Sequence, residues 1–274
     1  MASLKVIDAH FHIWELEKQN LPWLATTDGT ITKTYTFEDY LAQWDKVSRL
    51  IEEECNTRID FLGGVYVEVD GDDPLREDEI IYDVWKANPK FLACAMRSRV
   101  APQMRAPLFA KGVREPLHIP QNPAGRCLEP SFIEGLHYMA EHGFVFDSCN
   151  RVQELPDFLA CAKQVPDLTI VLNHLGNVEK LDDAYLNVMQ EFAELPNVYL
   201  KVSGFPTGDA AWATEVLSFT KETFDPSRLI FASNWPVVRL YGCMKEHVKQ
   251  CLEVFGEDEN FWSRNVQRAY LLDA

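Results

Sequence analysis

The stretch VIDAHFHIW, residues 6–14, carries three side chains at alternate positions that can exchange protons. Asp8, His10 and His12 would lie on one face of a β-strand, because successive strand side chains point to opposite faces. Two histidines at positions i and i+2 are about 6.6 Å apart at roughly 3.3 Å per residue, so both rings could converge on one metal ion or one substrate oxygen. An isolated pair of this kind is more often structural, so its meaning depends on where the strand lies.

Polar residues also stand at or near the ends of several other apolar runs. These are Glu68, Arg114, Asn173, His174, Lys201, Ser233 and Asn234. Histidine and carboxylate side chains transfer protons in enzymes, and arginine binds the oxygen atoms of carboxylates. If the ends of these runs meet in space, the residues would form one catalytic site.

Apolar strand-like runs alternate with amphipathic stretches along the chain. The eight predicted strands are 4–12, 63–69, 91–97, 111–115, 144–148, 168–174, 198–204 and 228–234. The predicted helices are 37–55, 130–143, 155–165, 182–195, 209–224 and 243–256. Eight such units over about 250 residues predict an α/β fold, a TIM-like (β/α)8 barrel that forms one domain over residues 1–274. An open doubly wound sheet is the alternative, but it normally places a glycine-rich turn after the first strand, where this chain has DAHFHIW.

A barrel changes the meaning of the first strand. Its outward face is covered by helices, which suits Ala9, Phe11 and Ile13. The three polar side chains between and beside them would then point inward near the C-terminal end of the strand, where active sites lie in this fold. The segments 14–36 and 98–110 are long for connections and are expected to form binding loops.

Charge and cysteine content limit the partners and the compartment. Lysine and arginine total 26 against 42 aspartate and glutamate residues, so a net charge of −16 should repel nucleic acid and anionic membranes. The seven cysteines form no C-x-x-C pair, which is typical of reduced thiols inside a cell. The N-terminus lacks the apolar region of a signal peptide, and no apolar run reaches the roughly 18 residues of a membrane helix. We therefore expect a cytoplasmic protein without a membrane partner.

Seven segments, in order along the chain, carry a resemblance to a known family. They are IDAHFHIW, LPWL, KGVREPL, AEHGFVFDSC, VLNHLGN, NVYLKVSGF and FASNWPV. From about residue 4 to residue 272 the chain resembles the amidohydrolase-related lactonases of the amidohydrolase superfamily, and most closely the branch that acts on L-fucono- and L-rhamnono-lactones. The resemblance implies a (β/α)8 barrel that hydrolyses a sugar-acid lactone, an aldonolactone, to its hydroxy acid. The dicarboxypyrone lactonases are a more distant branch.

The same resemblance implies roles for individual residues. His10 and His12 correspond to the strand-one histidine pair, and His174 to the strand-six histidine. These three would be the ligands of a divalent metal such as zinc if one is bound, but members of this branch often work without an essential metal, so we predict no essential cofactor. Arg114 corresponds to the arginine that holds substrate oxygens. Further substrate contacts are predicted for Glu68, Lys201, Trp14 and Trp23.

One position departs from the family pattern at the expected catalytic base. Asn234 stands where the motif G-S-D-W-P has the aspartate that activates water, and a neutral amide does not accept a proton near neutral pH. A positioned base usually contributes about 10² to 10⁴ in rate, or roughly 3–5 kcal/mol. Three explanations stay open: an engineered Asp-to-Asn change, a protein that only binds a sugar acid, or takeover by a carboxylate such as Asp8, Glu68 or Glu115.

These observations lead to a lactone hydrolase as the first functional hypothesis. Its catalytic candidates are Asn234, His174 and Asp8. The alternatives are a non-catalytic binder of sugar acids and a metal-dependent decarboxylase of the same superfamily. Histidines outside the strands, including His118, are interpreted as loop or surface residues. A homo-oligomer is compatible with the sequence, which does not determine the oligomeric state.

Overall fold

Eight short apolar segments form parallel strands in the computed structural model, which describes residues 3–272. The strands are β1 (Leu4–Phe11), β2 (Ile59–Val67), β3 (Phe91–Arg97), β4 (Gly112–Pro116), β5 (Val145–Cys149), β6 (Ile170–Leu172), β7 (Val198–Val202) and β8 (Leu229–Phe231). Neighbouring strands pair in chain order, and a hydrogen bond from His12 N to Trp235 O (2.7 Å) joins the segment after β8 to β1. The predicted (β/α)8 barrel is confirmed.

Helices follow the strands along the described part of the chain. They are α1 (Phe37–Cys55), α2 (Pro74–Ala87), α3 (Pro130–Glu141), α4 (Leu155–Ala162), α5 (Asp183–Ala193), α6 (Ala210–Thr223), α7 (Met244–Phe255) and α8 (Asn265–Ala269). The six predicted helices are present, whereas α2 and α8 are absent from the prediction. Helix α2 buries only Glu77 and Ile81, so its sequence shows no clear apolar stripe. The residue before the helix, Asp73, is its N-cap: the Asp73 side chain accepts hydrogen bonds from the amides of Leu75 and Arg76 in the first turn.

Strand β1 departs from regular alternation near its C-terminal end. Its pairing with β2 shifts register between Asp8 and Phe11, as in a β-bulge. Ala9 packs inside the barrel, so its predicted outward orientation is wrong. His10 and His12 also face the interior, because the irregular register interrupts the strict alternation that the sequence pattern assumes.

The carboxylate of Asp8 is directed toward helix α1. Its Oδ2 accepts a hydrogen bond from the Tyr40 hydroxyl of that helix (2.8 Å), and its Oδ1 accepts one from the Ser233 amide (2.7 Å). Burial raises the pKa of Asp8, while hydrogen bonds from Ser233, the His10 amide and Tyr40 oppose the rise. Asp8 thus joins β1, α1 and the segment after β8. The prediction that Asp8 shares a strand face with His10 and His12 is wrong.

Part of the barrel interior is filled by small and branched apolar side chains. These are Ile7, Ala9, Val65, Ala93, Val145, Val171, Ile230 and Ala232. A π-helical turn (Asn260–Arg264) leads into α8, and Tyr270 packs into the same cluster from the end of that helix. Because this part of the interior is packed, a site within the barrel is confined to the carboxyl ends of the strands.

No helix between residues 3 and 272 is long and apolar enough to cross a bilayer. Residues 1, 2, 273 and 274 lie outside the described residues. The assignment of one domain to residues 1–274 and the compatibility with a homo-oligomer stay predictions.

Gly64 of β2 lies where α1 approaches the sheet, and Gly64→Ala should destabilise the protein. A Cβ at this position would lie 2.5 Å from the Tyr40 hydroxyl and 2.9 Å from Phe11 Cδ1, so one of these groups would have to move. Overpacking of this kind costs about 1–3 kcal/mol of unfolding free energy, measurable by urea denaturation. Gly208→Ala is the matched control because no atom of residues 3–272 lies within 4 Å of its added Cβ. Equal effects of the two substitutions would contradict the packing argument.

Candidate active site

A cavity of about 390 Å³ opens at the carboxyl ends of the strands. Among the residues that line it, six were predicted from the sequence: His12, Trp23, Glu68, Arg114, His174 and Asn234. The lining also contains Asp70, His118, Cys149, Asn177, Gly204 and Tyr241. The structure thus brings polar residues from many strand ends to one space.

A larger cleft of about 930 Å³ adjoins this cavity and shares Trp23 and Asp70 with it. The long segments 14–36 and 98–110 each supply part of its wall. Arg97 in this cleft forms an ion pair with Asp70, so the carboxylate compensates its charge. The cleft provides an approach from solvent to the smaller cavity.

His10, His12 and Lys201 form a hydrogen-bonded chain that leads from the cavity into the barrel. His12 Nδ1 lies 2.7 Å from the carbonyl oxygen of Val67, which only accepts, so this nitrogen carries the proton. His12 Nε2 therefore accepts from His10 Nε2, 3.0 Å away, and His10 Nδ1 accepts from Lys201 Nζ at 3.4 Å. The geometry assigns one neutral tautomer to each ring and satisfies the ring nitrogens within the protein.

Burial and nearby cations keep His10, His12 and His174 uncharged. Desolvation, aided by the charge of Arg114, lowers the pKa of His12 to about 3. Desolvation followed by the charge of Lys201 lowers the pKa of His10 well below its usual range, and desolvation followed by Arg114 does the same for His174. All three rings are therefore neutral at pH 7.

Lys201 of β7 is fully buried and forms an ion pair with Asp147 of β5. Asp147 also accepts hydrogen bonds from Asn173 Nδ2 (2.9 Å) and from the Tyr270 hydroxyl (2.6 Å). Burial lowers the pKa of Lys201, and the charge of Asp147 opposes this change. Lys201 and His10 lie behind the residues that line the cavity, so the predicted contact of Lys201 with substrate has no support in the structure.

Arg114 of β4 is 5% exposed and faces the cavity. Its Nε lies 2.7 Å from Glu68 Oε1, and Glu68 Oε2 accepts from the Asp70 amide at 2.8 Å. Within residues 3–272, Nη1 of Arg114 is buried without a hydrogen-bond partner. Because an unsatisfied buried donor costs free energy, this group is suited to bind an oxygen atom of a ligand.

His174 and Asn234 turn into the cavity through an unusual backbone conformation. Their φ angles are 55° and 53°, in the left-handed region that non-glycine residues rarely adopt. Strands β6 and β8 therefore end before the predicted segments 168–174 and 228–234 do. Gly204 permits the position of His174, because a Cβ at residue 204 would lie 2.5 Å from His174 Cβ.

The two predicted tryptophans have different positions. Trp23 lines the cavity, and its Nε1 donates to the carbonyl oxygen of Val69 (2.7 Å). Trp14 is 1% exposed, donates through Nε1 to Lys33 O (2.6 Å) and packs edge-on against Trp23. Trp14 offers no surface to a ligand in the cavity, so its predicted substrate contact is not supported. Asp8 is hydrogen-bonded to Tyr40 and lies outside the cavity, so its predicted catalytic role is not supported either.

Several residues of the site were missed by sequence reasoning. Asp147 and Cys149 lie at the end of an apolar strand, a signal that could have identified both. His118, Asn177 and Tyr241 lie on connections, where no periodic pattern marks a function. His118 is a loop residue, as interpreted from the sequence, but it also lines the cavity.

The donors around the predicted metal ligands do not fit a divalent metal. The Nε2 atoms of His10 and His12 bind each other, Lys201 places a positive charge beside them, and Asn234 is neutral where a carboxylate would offset an ion's charge. In the described part of the chain, no group of three His, Cys, Asp or Glu side chains could hold a metal. The prediction that His10, His12 and His174 bind zinc thus has no support in the donor set.

The chain matches a family model described as amidohydrolase over residues 7–271. It is 25% identical to an L-fucono-1,5-lactonase of Burkholderia ambifaria, over 91% of this chain and 88% of that protein. It is also 24% identical to an L-rhamnono-gamma-lactonase of Scheffersomyces stipitis, over 86% of this chain and 87% of that protein.

Solved structures share the barrel over nearly the whole chain. Amidohydrolase 2 from Bifidobacterium longum subsp. infantis is 42% identical, with a TM-score of 0.86 over 99% of this chain and 100% of that one. An amidohydrolase from Burkholderia multivorans with bound zinc is 20% identical, with a TM-score of 0.79 over 98% and 99% of the two chains. At the latter identity the likeness concerns the fold.

Lys201→Met should destabilise the protein strongly, because it leaves the Asp147 carboxylate buried without its cation. Removal of one partner from a buried ion pair typically costs about 3–5 kcal/mol, and urea denaturation measures the change in unfolding free energy. Lys163→Met is the control, since Lys163 pairs with Glu191 on the surface and such pairs contribute about 1 kcal/mol or less. Similar losses in both variants would show that the buried pair has no special structural role.

Proposed function

This chain belongs to the amidohydrolase family, and from that premise we propose that it hydrolyses the ester bond of a sugar-acid lactone in the cavity. The reaction adds water to a cyclic ester and yields the hydroxy acid. Relatives that align over most of the chain are named L-fucono-1,5-lactonase and L-rhamnono-gamma-lactonase, which supports this substrate class. A cavity of about 390 Å³ suits a small ring-shaped substrate.

The observation that carries this proposal is Arg114, which lines the cavity and whose buried Nη1 has no hydrogen-bond partner among residues 3–272. Ester hydrolysis develops negative charge on the carbonyl oxygen, and a buried, preorganised cation stabilises that charge. Glu68 holds the guanidinium in place through the 2.7 Å contact with Nε. Arg114 can therefore meet the developing oxyanion without rearrangement of its side chain.

The neutral histidines and Asn234 complete the polar wall in this proposal. Ser203 Oγ lies 2.8 Å from His174 Nδ1 and fixes the orientation of that ring. Asn234 Nδ2 donates to the Tyr241 hydroxyl at 2.9 Å. His174 and Asn234 would hold hydroxyl oxygens of the lactone through neutral hydrogen bonds. Asn234 cannot remove a proton from water, because an amide is not a base.

None of the three carboxylates considered as replacement bases is free for this role. Asp8 is bonded to Tyr40 and Ser233, outside the cavity. Glu68 faces the cavity, but its two oxygens are held by Arg114 and the Asp70 amide. Glu115, the third candidate, forms an ion pair with Arg126, whose Nε lies 2.8 Å from Glu115 Oε1. The group that initiates attack on the ester must therefore be sought among other residues of the cavity.

Arg114→Gln should lower kcat/KM for lactone hydrolysis, because the variant loses the cation that stabilises the oxyanion. Loss of one such donor typically reduces the rate about 10²- to 10³-fold. A pH-stat assay with a panel of aldonolactones measures acid release directly, and thermal melting shows whether the variant stays folded. Arg49→Gln, on the exposed face of α1, is the control. A folded Arg114→Gln variant with unchanged kcat/KM would remove Arg114 from the mechanism.

Two further measurements separate the alternative functions. A non-catalytic binder would show heat of binding to an aldonolactone in calorimetry but no acid release by the wild-type protein. A decarboxylase would release carbon dioxide from a carboxylated substrate. Either result in place of lactone opening would contradict the proposed function.

Metal removal should leave lactone hydrolysis unchanged, because the donors around His10 and His12 satisfy one another and the neutral Asn234 stands where a carboxylate would offset an ion's charge. We expect the purified protein to contain far less than one equivalent of zinc by elemental analysis. Overnight treatment with EDTA should not lower kcat. Stoichiometric zinc, together with loss of activity in EDTA and recovery on addition of zinc, would show that the family's metal chemistry is retained here.

A further inference from the structure

We propose that Cys149 is the nucleophile of this site and His118 its acid–base partner, so that the lactone opens through a thioester with the protein. This inference rests on the proposed lactone hydrolysis and names the group that replaces the missing base at position 234. Neither residue is among the catalytic candidates predicted from the sequence.

The geometry of the cavity brings the two side chains together. Cys149 is the last residue of β5, is 2% exposed and lines the cavity together with His118. The His118 amide donates to the carbonyl oxygen of Cys149 at 3.1 Å, which ties the loop after β4 to the end of β5. The two side chains also interact electrostatically. Asn177 Nδ2 donates to the same sulfur at 3.4 Å.

These neighbours favour the thiolate, which is the reactive form of cysteine. Burial alone would raise the pKa of Cys149, but the charge and hydrogen bond of His118, with Arg114 and Asn177, lower it to about 7. Conversely, the Cys149 charge raises the pKa of His118, against the effect of its burial. Both directions describe a thiolate–imidazolium pair. Glu68 also favours the imidazolium, whereas Arg114 opposes it.

The other buried cysteines provide an internal comparison. A cysteine that only fills space behaves as a small apolar residue, and desolvation then raises its pKa. That is the case for Cys94, Cys127, Cys161 and Cys251. Cys149 differs from them because it lines the cavity and because its pKa is lowered rather than raised.

Arg114 supplies the remaining requirement. Arg114 and Cys149 line the same cavity, and Nη1 of Arg114 has no hydrogen-bond partner in the described part of the chain. A carbonyl group between the two side chains would therefore meet a nucleophile and a cation at once. A nucleophile with an adjacent base and an oxyanion-binding cation is the arrangement that acyl transfer requires. With Cys149 as the nucleophile and His118 as its base, Asn234 does not have to accept a proton.

The proposed reaction is balanced in atoms and protons. The Cys149 thiolate attacks the lactone carbonyl carbon, the ring C–O bond breaks, and the leaving alkoxide takes the proton of the His118 imidazolium. This gives a thioester that carries a free hydroxyl group. A water molecule then attacks the thioester while neutral His118 accepts its proton, the C–S bond breaks, and the hydroxy acid leaves. The thiolate and the imidazolium are restored.

Alkylation of the thiol tests the pair without any lactone. We expect iodoacetamide to modify Cys149, identified by peptide mass spectrometry, with a rate that rises with pH and has a midpoint near pH 7. His118→Gln should move this midpoint upward by about 1 unit or more, because the stabilising positive charge is lost. His142→Gln, at the exposed end of α3, should leave it unchanged. An unreactive Cys149, or a midpoint that does not move in His118→Gln, would overturn the pair.

Turnover and trapping test the covalent step. Cys149→Ala should lower kcat about 100-fold or more while the protein stays folded, and Cys161→Ala, a buried control outside the cavity, should not. Acid quenching during turnover should reveal a wild-type species heavier by the mass of one lactone, and this species should be absent from Cys149→Ala. If the wild-type protein opens lactones and Cys149→Ala does so equally well, the inference fails while the proposed function stands. If the wild-type protein opens no lactone, both fail.

Discussion

The buried ion pair between Lys201 and Asp147 is the interaction on which the polar interior of this barrel depends. Both side chains are removed from solvent, and a buried charge is tolerated only when its remaining donors and acceptors are satisfied. Asn173, Tyr270 and His10 supply these partners. Tyr270 lies 123 positions from Asp147 in sequence, so the C-terminal segment helps to complete the polar cluster behind the active site.

This ion pair also determines the chemical state of the residues above it. The ammonium group of Lys201 donates to one nitrogen of His10, and His10 in turn donates to His12. Each ring is held in a single neutral tautomer, and the nearby cations make a second positive charge unfavourable. The histidine pair that resembles a metal site in sequence thus serves as a neutral hydrogen-bonding network in this chain.

A barrel with eight strand ends around one cavity allows catalytic groups to change position during divergence. Here the end of β8 carries the neutral Asn234, while the ends of β4 and β5 bring His118 close to Cys149. Arg114 lies on the same side of the cavity as this pair. The catalytic groups that we propose therefore lie at the ends of β4 and β5 rather than at the end of β8, while the fold is the same.

The sequence by itself determined the barrel, the order of its strands, and the placement of Arg114, His174 and Asn234 at strand ends, because periodicity and strand-end polarity are local properties. It could not determine that Asp8 turns toward Tyr40, since a register shift in β1 interrupts the alternation. Nor could it identify Asp147, 54 positions away, as the partner of Lys201. It also could not predict that His118 lies beside Cys149. Only the tertiary structure decided these contacts, because they depend on strand register and on the path of connecting loops, which are set by the packing of the whole ring.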